Sequence, residues 1–139
     1  MHPDTLALIA LHKSDLQREG IVSKMNSIVR ELDNAQAKVD SASAKIDALQ
    51  AELLLLNQQE KEHSIRYERY LKKAADTERL IQTGQAGSYE AAQAQHQQCL
   101  DIADQEETRI LELMEQMEGC DERILAAETH LALQKGLYE

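Results

Sequence analysis

Neither Trp nor Phe occurs in the chain, Pro occurs once, as Pro3, and only five Gly are spread over the 139 residues. A broad three-dimensional core is hard to fill without large aromatic side chains, and a chain with so few helix breakers favours long helices. β-Branched residues stand singly or, at Ile21-Val22 and Ile28-Val29, in pairs, with no alternating apolar and polar run bounded by turn residues, which argues against sheets. Cysteine is scarce too. Cys99 and Cys120 do not form a C-x-x-C pair, so the chain by itself cannot supply the four ligands of a structural zinc ribbon. The longest apolar run, Leu6 to Leu11, falls well short of the ~20 residues that cross a bilayer. No secretory leader pattern opens the sequence. A cytoplasmic, reducing location and no membrane partner are therefore expected. No Gly-rich phosphate loop, nucleophile elbow or Ser/His/Asp constellation is present, so the chain reads as a non-enzyme with no cofactor.

Positive charge is missing from the second half. Residues 1–82 carry 12 Lys/Arg against 13 Asp/Glu, and residues 83–139 carry 3 against 12, dividing the formal net charge of −10 into −1 and −9. An acidic wall repels phosphate backbones and anionic lipid and accommodates a basic protein. Nucleic acid is thus the less favoured partner.

What the sequence does contain is a seven-residue repeat. With Met25, Leu32, Val39, Ile46 and Leu53 at position a, position d holds Ile28, Ala35, Ala42, Leu49 and Leu56. Ten consecutive apolar seam positions need a facing helix to bury them. The frame continues through Glu60, His63, Tyr67, Tyr70, Ala74, Thr77 and Ile81 to Thr83-Gly84-Gln85-Ala86-Gly87-Ser88, where two Gly interrupt the helix and Ser88 can cap a new one. A second frame follows. Its a positions are Tyr89, His96, Ala103, Ile110, Met117, Ile124 and Leu131, and its d positions are Ala92, Cys99, Glu106, Leu113, Cys120 and Ala127.

A short loop between long helices makes them antiparallel neighbours. Folding about Gln85 and Ala86 would set Leu56 beside Glu115 and Leu32 level with Glu139, leaving residues 1–30 with nothing opposite. The expected fold is all-α: one coiled-coil hairpin domain, with a short N-terminal helix over 1–20, a long helix over 21–82, a loop over 83–88 and a second long helix over 89–136. Gly20 is the expected hinge. The apolar Leu6, Leu8, Ile9, Leu11, Leu16, Ile21 and Val22 should fold back on the hairpin or meet a second copy of the chain.

The opening Leu6-Ala7-Leu8-Ile9-Ala10-Leu11 leading to Ser14-Asp15-Leu16, the loop exit Tyr89-Glu90-Ala91, and the run from Glu106-Glu107-Thr108-Arg109 to Glu115-Gln116-Met117-Glu118 carry a resemblance. They resemble a bacterial family of coiled-coil hairpins that usually end in a four-cysteine zinc ribbon. The resemblance implies a nucleic-acid-binding or adaptor role, with links to flagellar or secretion machinery or to transcription. The ribbon cysteines are not in this sequence.

Four groups of residues carry candidate chemistry. Glu60 and His63 form an E-x-x-H on the seam, and Glu106 arrives nearby from the second helix. In a dimer this would be the ligand set of a di-metal carboxylate bundle, and in a single chain it would be a hydrated polar layer that fixes register. His96 and Cys99 share the seam as a packed pair. Tyr67 and Tyr70 sit among Lys61, Arg66, Arg69, Lys72, Lys73 and Arg79 as the one basic, aromatic region, at the hairpin tip. There Arg66, Arg69, Lys72 and Lys73 are candidate contacts to RNA or to an acidic protein, or solvated charges around a core tyrosine pair. Leu6 and Ile9 mark an apolar docking segment. The expected function is a coiled-coil adaptor or scaffold, with partners that are basic or helical proteins or a second copy of the chain.

Overall fold

The computed structural model describes residues 2–136, in two helices: α1, Pro3–Gln82, and α2, Tyr89–Gly136. They pack against each other as an antiparallel hairpin, the fold that the two heptad frames imply. Helix α1 begins where its backbone donors find an acceptor. His2 O accepts from Thr5 N at 3.0 Å, Pro3 takes the first helical position, which requires no amide hydrogen, and Asp4 adds negative charge to the first turn.

The expected separate helix over 1–20 is not formed: α1 runs without a break through Gly20. One glycine inside a helix costs about 1 kcal/mol relative to alanine. With Gln17, Arg18 and Glu19 before it and the helix resuming through Ile21, Val22, Ser23 and Lys24, that cost does not outweigh continued propagation.

The reversal follows from local chemistry. Gly84 sits at φ 72°, in the left-handed region that a residue with a Cβ enters only at a cost. Around it, Gln85 N donates to Leu80 O at 3.0 Å and Gly84 N to Ile81 O at 3.2 Å, the paired bonds of a Schellman ending. Ser88 then caps α2: Ala92 N donates to its carbonyl at 3.0 Å and Ala91 N to its Oγ at 3.3 Å.

The chain divides into two compact units, residues 45–127 and residues 1–44 with 128–139. In the first, the buried seam residues are Ile46, Leu49, Leu56, Ala74 and Thr77 from α1 and Cys99, Ala103, Leu113, Cys120 and Ala127 from α2. Leu113 and Cys120 are wholly withdrawn from solvent. Half of these ten are Ala or Cys, so the backbones approach closely enough for side chains to bond to the opposing main chain. Cys120 Sγ lies 3.2 Å from Leu49 O, and His96 Nδ1 donates to Ala74 O at 2.9 Å. These pairs, with His63 beside Glu106, set a register about one to two residues from the expected one. In the other unit Ala35 and Ala42 are buried, while Met25, Ile28 and Leu32 of the same seam stay more than half exposed.

Candidate functional site

The polar interruption of the seam is assembled from both helices. Two turns of α1 present Glu60, His63, Ser64 and Arg66, and α2 presents Glu106 at a d position. His63 Nδ1 is bonded to Glu106 Oε2. A carboxylate only accepts, so the imidazole donates through Nδ1. The Arg66 guanidinium lies against both: its Nη2 is 3.0 Å from the same ring nitrogen and its Nε is 3.7 Å from Glu106 Oε1. A nitrogen that gives its hydrogen to Glu106 cannot also accept one from Arg66. The guanidinium is therefore held by the carboxylate's charge and rests beside the ring. The side chains of His63 and Glu106 are mostly buried, at 21% and 15% exposed, and Arg66 covers them from the solvent side at 44%.

Glu60 does not join this group. Its Oε1 accepts from Ser64 Oγ at 2.8 Å along the same helix. Among the described residues, no three His, Cys, Asp or Glu side chains are grouped so as to hold a metal ion. The structure thus does not bring Glu60 together with His63 and Glu106, and the Arg66 guanidinium lies beside those two. His96 and Cys99, the other seam pair, are also absorbed by packing, His96 through its bond to Ala74 O and Cys99 by burial.

The basic tip is divided by its contacts. Arg66 is engaged with Glu106, and Lys73 Nζ stands 4.9 Å from the centroid of the Tyr70 ring, a cation–π contact. Arg69 and Lys72 are exposed. Tyr67 and Tyr70 are half-buried at seam positions, so their rings belong to the helix pair rather than to a free aromatic surface. Arg79 is paired with Asp76 at 2.8 Å. The solvent-facing positive charge at this end is accordingly narrower than the sequence count of four.

The N-terminal apolar residues are laid bare. Leu6 is 53% exposed and Ile9 41%, and Leu8, Leu11 and Leu16 are exposed as well. Sequence reasoning did not identify the contact of Cys120 with a main-chain carbonyl, although two cysteines at d positions, Cys99 and Cys120, are a visible signal of close helix approach. No helix among the described residues is long and apolar enough to cross a membrane. Comparison of the chain with protein-family models, with curated proteins and with solved structures finds no match in any of the three.

Proposed function

We propose that the protein is a non-enzymatic coiled-coil adaptor that binds helical or basic protein partners. One observation carries this reading: the groups with the most chemical potential are all consumed by helix pairing, while Arg69 and Lys72 at the tip stand free in solvent. Glu106 is paired with Arg66 and bonded by His63, and Cys99 and Cys120 are buried. The cleft at the loop end of the seam, about 290 Å³ between Thr77, Leu80, Gln85 and Ala92, is open to solvent, whereas small-molecule sites bury most of their ligand. Binding through surface side chains is what remains. The net charge of −9 on residues 83–139 suits a basic partner lying along α2, and recognition would proceed by helix addition or helix-in-groove contact. The resemblance to the zinc-ribbon hairpin family adds the expectation of service in flagellar, secretion or transcription machinery.

A second reading, a nucleic-acid-binding module, draws support from the exposed Arg69 and Lys72. Photo-crosslinking from Lys72 in living cells separates the two. The adaptor reading expects a discrete protein adduct that disappears in Arg69→Ala variants. Adducts to RNA or DNA alone, or a protein adduct indifferent to Arg69, would overturn it.

A further inference from the structure

We infer that the N-terminal segment of α1, residues 6–32, is an interface for a second copy of this chain, joined antiparallel. This goes beyond the adaptor reading and does not depend on it.

The heptad frame of α1 extends backwards without a break, placing Leu11, Arg18, Met25 and Leu32 at a and Ala7, Ser14, Ile21 and Ile28 at d. The large members of this set are 55–59% exposed: Leu11 59%, Ile21 58%, Met25 59%, Ile28 55% and Leu32 55%. The same seam is covered from Ala35 onward, so the bare stretch continues an interface that the chain already uses. Its flank differs, however. At the e positions the covered part of α1 carries Gln36, Ser43, Gln50, Asn57, Ser64, Leu71 and Glu78, one apolar residue in seven, whereas the bare part carries Leu8, Asp15, Val22 and Val29, three in four. Leu8, Val22 and Val29 widen the apolar stripe on either side of Asp15, in the part of α1 that precedes the first covered seam residue, Ala35.

Area and charge point to a like partner. Covering these side chains would remove roughly 600–800 Å² per chain, on the order of 1,200–1,600 Å² in a pair, the size of a stable protein interface. Residues 1–33 hold four basic and five acidic side chains, so two copies meet near neutrality, unlike two α2 helices. Arg18 decides the orientation. In a parallel pair, a meets a, and Arg18 would face Arg18 of the second copy inside the seam. In the antiparallel pair, a meets d: Arg18 lies along Ile21 of the second copy, its aliphatic stem covering that side chain, while Leu11 meets Ile28 and Leu32 meets Ala7.

Sedimentation velocity of the whole chain, from a few micromolar to about 100 µM, reads the association directly. A dimer is expected, converted to monomer by Ile21→Asp with Ile28→Asp and retained with Ile21→Leu and Ile28→Leu. A monomer throughout the range overturns the inference, as does a dimer indifferent to the Asp pair. Because the Asp pair would also weaken the helix, crosslinking provides an independent reading, and the native cysteines are buried. A bismaleimide should join Leu11→Cys chains to Ile28→Cys chains in a mixture. Efficient joining of Leu11→Cys chains to one another, or no joining in the mixture, contradicts the antiparallel pair.

Discussion

Leu111 and Leu113 lie two residues apart on α2 and should respond to the same substitution very differently. Leu113 is wholly buried and Leu111 is 60% exposed. Leu113→Ala removes three carbon groups beyond Cβ, worth about 0.8 kcal/mol each in transfer, and leaves a cavity that the surroundings fill only partly. Leucine-to-alanine changes in globular cores cost about 2.7–5 kcal/mol. Two helices close on a void more readily than a broad core does, so the lower end applies, about 2.5–3 kcal/mol. That is close to a hundredfold in the folded-to-unfolded ratio. Leu111→Ala loses little burial and gains slightly in helix propensity, so its effect should stay within about 0.5 kcal/mol. Urea titrations followed by circular dichroism at 222 nm give both values from the midpoint and slope. If Leu111→Ala costs as much as Leu113→Ala, the buried face of α2 has been assigned wrongly, and the pairing of the helices with it.

Two glycines test the backbone in opposite directions. At Gly84 an added Cβ would meet no atom within 4 Å, so the penalty of Gly84→Ala is the left-handed backbone alone, about 1–2 kcal/mol of destabilisation by the same urea assay; an unchanged midpoint would mean that the turn does not use φ 72°. At Gly20 an added Cβ also meets nothing, and the helix there is continuous. Gly20→Ala should therefore raise helicity and add up to about 1 kcal/mol locally, read by slower amide exchange in residues 16–24. A loss of protection there would restore the hinge.

The sequence made the seam legible because position a and position d carry different weights from the rest. From Ala35 to Ile81, the side chains at a and d are buried or half-buried, including the polar Glu60, His63 and Thr77. On α2 the same holds from Ala92 to Leu131, and Tyr89 alone departs, 63% exposed beside the loop. The turn was legible in Gly84 and Ser88, since left-handed backbone and a helix start each call for a particular residue type. Three features were not. The register differs slightly because it depends on how many residues the Schellman ending consumes, and a glycine count does not reveal that. Gly20 reads as a hinge in isolation, but the decision lies in the summed propensity of its neighbours. Arg66 counts as a tip cation until the partner helix brings Glu106 within 3.7 Å, a contact that links residues forty positions apart.

The polar residues of the seam then have a role that apolar packing cannot supply. A slide of one heptad would keep the a and d residues on the seam, so the heptad pattern alone does not forbid it. Directional partners resist such a slide. Between residues 45 and 127, Cys120 is tied to Leu49 O, His63 to Glu106 and His96 to Ala74 O, at three separate levels. Among the described residues no buried side-chain nitrogen or oxygen lacks a hydrogen-bond partner. Shifting the helices by seven residues would separate these pairs at once, and a buried polar group left unpaired costs about 1–3 kcal/mol. The penalties fall on the wrong register, even though a pair such as His63 and Glu106 adds little net stability to the right one. Arg66 completes this arrangement by giving Glu106 a second partner, so the carboxylate is held in the seam from both the imidazole and the solvent side.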